Sequence, residues 1–161
     1  MHFRLIKFFV LIFCIPGFVL AQEMALDFTA PKIIGNEEIR LSDYRGKIVF
    51  LDFWASWCPP CLVSLPAYDK MYIELNNEEF EIIAINVDEN PADGIAFMED
   101  HPVSYTVLAD PDGDVGIPYG IRSLPVSYLI DREGHIVQRY RSYKNGDEIQ
   151  LKKLVEELLG S

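Results

Sequence analysis

Basic residues are scarce in this chain: its 161 residues include 14 Lys and Arg against 25 Asp and Glu, a formal net charge of −11. Because nucleic-acid affinity comes largely from contacts of Lys and Arg to phosphate, this deficit argues against a nucleic-acid partner. The same excess of acid favours basic partners and disfavours anionic membrane surfaces. The sequence also lacks internal repeats, low-complexity tracts and interdomain linkers, and half of it is apolar. These features predict one globular domain with a single core.

Apolar residues are concentrated at the N-terminus, where residues 8–20 carry no charge and follow Arg4 and Lys7. A positive start, an apolar run and small residues ending at Ala21 are typical of a secretory signal peptide. We predict that residues 1–21 form this signal and that it is cleaved after Ala21. The alternative is that the segment is not cleaved and spans a membrane, although the uncharged run is short for a span of about 20 residues. Only in that case would the domain be held at a membrane.

Cleavage would leave an exported domain, residues 22–161, in the periplasm or cell envelope. Cysteine is rare in this domain. Cys14 leaves with the signal, so the domain keeps only Cys58 and Cys61. Two randomly placed cysteines fall three apart roughly once in seventy arrangements of a chain this long. An oxidising compartment allows the pair to form a disulfide, but so small a loop stabilises a fold by only about 2 kcal/mol. We therefore interpret this Cys-Pro-Pro-Cys segment as a redox dithiol.

Strand and helix patterns alternate along the domain, which predicts an α/β fold with helices on both sides of a mixed sheet. An N-terminal hairpin is predicted within residues 27–41, with strands at residues 32–34 and 37–41 on either side of a turn at Gly35-Asn36, and a short helical turn ends at Gly46. The remaining predicted strands are residues 48–53, 80–87, 105–108, 126–131 and 135–141, and the predicted helices are residues 59–75, 93–100 and 147–159.

The dithiol falls where the strand over residues 48–53 passes into the first helix. Cys58 is expected at the helix N-cap and Pro59 at the first helical position, where proline is tolerated. Since Pro59 and Pro60 lack an N–H, we expect the Cys61 amide to point at the Cys58 sulfur. This donor and the helix dipole would lower the pKa of Cys58. Cys58 is thus the predicted attacking thiolate, and Cys61, one turn later and deeper, the resolving thiol.

Two carboxylates are candidates for the base that deprotonates Cys61. Asp52 lies on the strand before the motif among apolar residues, and a buried acid there would have a raised pKa suited to proton transfer. Glu89 follows the strand over residues 80–87 and would reach the same edge of the sheet if the two strands are neighbours. The competing interpretations are an outward-facing strand residue for Asp52 and a solvated loop acid for Glu89.

The segment Phe-Leu-Asp-Phe-Trp-Ala-Ser-Trp-Cys-Pro-Pro-Cys at residues 50–61 closely resembles the active site of the thioredoxin superfamily. Pro66 matches the kinked helix of that family, and Ser123-Leu124-Pro125 looks like its cis-proline segment. The resemblance implies a thioredoxin-like three-layer sandwich in which Pro125 faces the dithiol. It also implies substrate contacts at Trp57, Pro59, Pro60, Leu124 and Pro125.

Within the superfamily, the signal, the N-terminal hairpin and the inserted strand and helix between residues 80 and 108 resemble the exported TlpA, ResA and DsbE group. That likeness implies a reductant of protein disulfides, apocytochrome c among its clients, with a DsbD-like membrane reductant upstream and no cofactor beyond the dithiol. Residues 85–89 match the segment where the group carries an active-site glutamate, which favours Glu89. Pro59-Pro60 departs from many members, and it leaves the direction of electron flow open.

Two other functions compete with this prediction. A peroxiredoxin has a similar N-terminal half, but it needs a Thr/Ser-x-x-Cys site with a nearby arginine, and hydrogen peroxide consumption would reveal it. A copper or zinc module would use the dithiol as two ligands, although a closed zinc site needs four. His101 and His135 show no second-motif spacing and are expected to be surface or turn residues.

Overall fold

The computed structural model describes residues 22–35 and 37–160. The predicted signal peptide lies outside these residues and stays a prediction, as does the conformation of Asn36. None of the helices in the described part of the chain is long and apolar enough to cross a membrane.

Seven strands and three α-helices are formed by the described residues. In chain order they are β1 Thr29–Pro31, β2 Glu38–Arg40, β3 Ile48–Trp54, α1 Pro59–Leu75, β4 Phe80–Asn86, α2 Pro91–Asp100, β5 Thr106–Ala109, β6 Val126–Ile130, β7 Ile136–Tyr140 and α3 Asp147–Leu159. A five-stranded sheet has the order β5-β4-β3-β6-β7, with β3 parallel to β4 and antiparallel to β6. The predicted mixed sheet is therefore confirmed.

Strand β3 lies at the centre of the sheet, and all seven of its residues are buried. A continuous apolar run suits such a strand because both of its faces are covered. Phe50 and Trp54 pack on the face that carries α1 and α3, whereas Leu51 and Phe53 pack on the opposite face. Side chains alternate along a strand, so Asp52 points to the face with α1.

Helix α1 has the predicted bounds and starts directly after the first cysteine of the motif. It buries Leu65, Tyr68 and Met71 against the sheet, and α3 adds Leu151 and Val155 to the same core. This packing fixes the position of the N-terminus of α1 relative to the end of β3.

Several strand bounds differ from the prediction by one residue, and two elements differ by more. The strands of the N-terminal hairpin are β1 and β2, and the pairing Ala30↔Ile39 lies outside the predicted strand at residues 32–34. Those residues turn toward β5 instead, because the Ile33 amide donates to the Val107 carbonyl at 3.0 Å. Helix α2 begins two residues early at Pro91, since the Asn90 side chain caps its first turn.

Candidate active site

The dithiol lies at the junction between β3 and α1, as predicted. Cys58 and Cys61 form a disulfide with their Cα atoms 5.3 Å apart. Cys58 is the N-cap of α1, and Pro59 and Pro60 occupy its first two positions. Cys61 is fully buried and Cys58 is 3% exposed, so the order of depth agrees with the prediction. Access to the Cys58 sulfur is therefore limited to a narrow opening.

One predicted contact of the dithiol was wrong. The Cys61 amide donates to the Cys58 carbonyl at 2.9 Å, and not to the Cys58 sulfur. The Leu62 amide donates to the same carbonyl at 3.2 Å. Because α1 starts at Pro59, these amides close the first helical turn, and the backbone carbonyl of the N-cap residue is their nearest acceptor.

Asp52 is fully buried on the α1 face of β3, between Phe50 and Trp54, which belong to the core cluster that also contains Cys58 and Cys61. Its Oδ1 accepts a hydrogen bond of 2.6 Å from the Ser127 hydroxyl on β6, the neighbouring strand. Its Oδ2 has no hydrogen-bond partner among the described residues. Burial raises the pKa of Asp52 to about 7, and the bond from Ser127 opposes this rise. The prediction of a buried acid with a raised pKa is therefore confirmed.

A second buried aspartate, which was not predicted from the sequence, holds the loop that precedes the cysteines. Asp88 accepts hydrogen bonds from the Ser56 amide at 3.0 and 3.2 Å and from the Ser56 hydroxyl at 3.1 Å. The Asn86 side-chain amide donates a fourth bond to it at 2.7 Å. Asp88 is 2% exposed. The polar pair Ser56 and Asp88, each next to an apolar strand end, was the signal available in the sequence.

Glu89 directly follows this buried aspartate and is exposed. Strands β3 and β4 are parallel neighbours, so Glu89 does reach the same edge of the sheet as the dithiol. The side chain that turns inward toward the cysteine loop is nevertheless Asp88. The predicted catalytic role of Glu89 stays a prediction.

The predicted substrate-contact residues lie on the segments next to the dithiol, the start of α1 and the residues before β6, and they differ in exposure. Trp57 is 67% exposed, whereas Trp54 is fully buried, as expected for a rim residue and a core residue. Pro59 and Pro60 are exposed and Leu124 is half-buried. The Leu124–Pro125 peptide bond is cis, which confirms the expectation from the resemblance. Pro125 precedes β6, and the antiparallel pairing of β6 with β3 brings it to the end of β3 that leads to Cys58.

The two histidines considered for metal binding lie away from the dithiol. His101 stacks on Phe97 at the end of α2, and His135 lies 3.4 Å from the Asp131 carboxylate in the turn before β7. Within residues 22–35 and 37–160, the structure contains no group of three or more His, Cys, Asp or Glu side chains that could hold a metal ion.

Residues 21–139 match the AhpC/TSA family. The chain belongs to this family. A thiol-disulfide oxidoreductase ResA of Bacillus thuringiensis subsp. konkukian (strain 97-27) is 30% identical over 143 residues, which cover 85% of this chain and 83% of that protein.

Solved structures give the same result. A protein of Chlorobium tepidum assigned as the thiol:disulfide interchange protein DsbE is 34% identical with a TM-score of 0.80. The match covers 86% of this chain and 97% of the Chlorobium chain. The exposed lipoprotein thioredoxin of Streptococcus pneumoniae strain TIGR4 is 32% identical with a TM-score of 0.69, covering 83% and 100%. This member of the AhpC/TSA family is therefore a thioredoxin-like thiol-disulfide oxidoreductase, and the relatives favour that activity over the peroxidase alternative.

Proposed function

We propose that this oxidoreductase is an exported reductase of protein disulfides that uses Cys58 and Cys61. The observation that carries the proposal is the disulfide at the N-terminus of α1, on the same face of β3 as a buried carboxylate, one oxygen of which has no hydrogen-bond partner among the described residues. A nucleophile, a resolving group and a base are then within one small site, as thiol-disulfide exchange requires.

The cycle transfers two electrons from the dithiol to the substrate. The Cys58 thiolate attacks one sulfur of the substrate disulfide, which forms a mixed disulfide and releases the other substrate sulfur as a thiolate. The Cys61 thiolate then attacks the Cys58 sulfur, which releases the second substrate thiolate and forms the Cys58–Cys61 disulfide. The helix N-terminus stabilises the Cys58 thiolate in the first step.

Asp52 removes the proton from Cys61 before the second step. A carboxylate whose pKa is about 7 exchanges protons readily near neutral pH, where the difference in pKa from a thiol is small. Its Oδ1 is occupied by Ser127, so Oδ2 is the oxygen that accepts the proton.

Substrate contacts are assigned to the rim described above. Trp57, Pro59 and Pro60 form the exposed surface beside Cys58, and Leu124 and Pro125 form the opposite side. Apocytochrome c is the proposed client and a DsbD-like membrane thiol reductant the proposed electron donor. The names ResA and DsbE of the relatives support a place in the same exported group, and the word exposed in the name of the pneumococcal relative supports export.

The reduction potential of the dithiol tests the direction of the reaction. Purified protein is equilibrated with dithiothreitol or glutathione buffers, and its free thiols are counted by alkylation and mass spectrometry. A potential near or below that of thioredoxin, about −270 mV, supports a reductase. A potential near that of DsbA, about −120 mV, overturns the direction and indicates an oxidant or isomerase.

The mass of the protein recovered from an exporting host tests the location. A chain that begins at Gln22 is expected in the envelope fraction. An intact N-terminus in the membrane fraction would indicate an anchor, and an intact chain in the cytoplasm would contradict export.

A further inference from the structure

A groove of about 560 Å³ lies along β6 and β7, and three arginines line it. We call it the arginine groove, defined by Arg122, Arg139 and Arg141 with an apolar floor that includes Met24, Leu26 and Tyr128. Ser123 and Val126, on either side of Leu124–Pro125, also line it. The groove is therefore continuous with the cis-proline segment.

Strand pairing places the Val126 end of the arginine groove at the edge of the sheet that carries the dithiol, while Tyr128 and Ile136 of the groove pack on the face of the sheet opposite Cys58 and Cys61. Val126 is paired with Phe53, two residues before Ala55, and the Ala55 carbonyl accepts from the Cys58 amide at 3.1 Å. Adjacent strands are about 4.8 Å apart. An extended polypeptide that passes over Pro125 would thus have one end near Cys58 and the other in the groove.

The charges in the groove are only partly neutralised. Arg139 forms an ion pair with Glu23, and its guanidinium lies 5.6 Å from the centre of the Tyr128 ring. Arg122 and Arg141 are exposed, and neither forms an ion pair with another described residue. In a chain with a net charge of −11, two guanidiniums that line the same groove without an ion-pair partner among the described residues make a local positive potential that attracts carboxylates.

The floor of the groove adds an apolar component. Met24 and Leu26 are 47% and 50% exposed, which is high for large apolar side chains. A ligand that contained only an anion would leave this surface uncovered, whereas a peptide with apolar and acidic residues would cover the floor and pair with the arginines.

We propose that the arginine groove binds an acidic segment of the substrate polypeptide, with apolar residues interspersed, on one side of the disulfide to be reduced. This inference rests on the proposed function and adds a recognition element to it. The acidic remainder of the surface repels such a segment, so the groove fixes the side of the disulfide on which the segment lies. Selectivity then arises from both attraction and repulsion.

Binding of a peptide without cysteine tests the groove independently of catalysis. The probe is a fluorescent twelve-residue peptide of alternating Glu and Leu or Phe with Ser in place of Cys, and the readout is fluorescence anisotropy at low salt. We expect the double variant R122Q/R141Q to weaken binding about tenfold. The control K70Q/K153Q removes equal charge from exposed positions on α1 and α3 and should weaken binding less than twofold.

Three results would overturn the proposal. The first is equal binding of a peptide with Lys in place of Glu, and the second is an equal loss of binding in both double variants. The third is displacement of the peptide by inorganic phosphate at a concentration close to the dissociation constant of phosphate for the control variant. The last result would indicate a small-anion site. The substitution R141E provides a second check, because it should reverse the preference in favour of the Lys peptide.

Turnover separates failure of the groove from failure of the proposed function. The reduced protein is given disulfide peptides with acidic, neutral or basic flanks, and the uncharged hydroxyethyl disulfide. We expect R122Q/R141Q to raise KM for the acidic peptide about tenfold and to leave hydroxyethyl disulfide reduction unchanged. Reduction of all peptides at one rate contradicts the groove alone. Acidic peptide binding with no disulfide reduction contradicts the proposed reductase alone.

Discussion

Two buried aspartates flank the cysteine segment, and they differ in how their oxygens are satisfied. Asp88 accepts four hydrogen bonds shared between both carboxylate oxygens. Asp52 accepts one, from Ser127, and its second oxygen has no partner among the described residues. Both are at most 2% exposed. Burial alone therefore does not distinguish their roles.

The difference shows how one fold uses a buried carboxylate for two purposes. A carboxylate with donors on both oxygens anchors the groups that donate to it, here the Ser56 backbone. An undersaturated carboxylate in an apolar setting is poorly stabilised as an anion, so it gains and releases a proton near neutral pH. Asp88 holds the cysteine loop through Ser56, whereas Asp52 is the carboxylate that we propose takes part in the chemistry.

Asp52→Asn is expected to have the largest effect. Loss of the base should slow release of substrate from the Cys58 mixed disulfide about 100-fold at pH 7, within the range for a general base. The deficit should shrink as the pH rises, because hydroxide then replaces Asp52 as the base. Rapid-quench measurement of the mixed disulfide gives this rate. The control is Glu89→Gln, and a loss as large in that variant would contradict the assignment of the base to Asp52.

The same substitution should stabilise the oxidised protein. The folded pKa of Asp52, about 7, lies above its ordinary value, so ionisation costs folding free energy as pH rises from about 4 to 7. The variant lacks this cost. We expect it to be more stable by about 4 kcal/mol at pH 8 and equal to the wild type at pH 4. Urea unfolding at the two pH values measures the difference, and a gain that is the same at both would contradict the titration of Asp52.

Asp88→Ala should show the opposite pattern. The buried amide of Asn86 and the donors of Ser56 would lose their acceptor, which costs about 3 kcal/mol of stability at every pH from 5 to 9. The pH dependence of the resolving step should keep its midpoint, because Asp52 is unchanged. Thermal unfolding and the pH profile are the measurements. Glu89→Ala, an exposed neighbour, is the control and should cost less than 0.5 kcal/mol.

Gly94→Ala tests how closely α2 packs against Asn86, the residue that donates to Asp88. A Cβ at Gly94 would lie 2.6 to 2.8 Å from the side-chain amide of Asn86, which donates to Asp88. We expect a cost of about 2 kcal/mol from this overpacking. Gly160→Ala is the matched control, since a Cβ there meets no heavy atom closer than 3.6 Å. Equal stability of the two variants would show that Asn86 relaxes without cost.

Much of this architecture was predictable because local signals and tertiary packing agree. The bounds of α1 and α3 follow from proline and glycine punctuation around apolar stripes, and the burial of Asp52 follows from the apolar residues on both sides of it. The inward turn of Asp88 was not predictable by the same reasoning. Adjacent acids at 88 and 89 are equivalent in composition, and only the pairing of β4 with β3 decides which of them faces Ser56.

The error in the hairpin strands arises because a contact distant in the sequence replaces a local one. Ile33 and Ile34 have strand propensity, but a backbone bond from Ile33 to β5 satisfies that segment better than the local hairpin does. The arginine groove is invisible in the sequence for the same reason. Arg122 lies 17 residues before Arg139 and 19 residues before Arg141 in the chain, and β6 and β7 bring the three together.

Ser127→Ala should have the smallest effect and sharpens the contrast between the two aspartates. The Ser127 hydroxyl stabilises the ionised form of Asp52 and lowers its pKa. Its removal should shift the midpoint of the resolving step upward by about half a unit to one unit, because the carboxylate then has no donor. The rate should fall about threefold at pH 6.5 and stay unchanged at pH 9. Ser127→Thr retains the hydroxyl and should restore the midpoint. A loss of stability without movement of the midpoint would mean that Ser127 only packs the site, and that Oδ1 of Asp52 is as free to titrate as Oδ2.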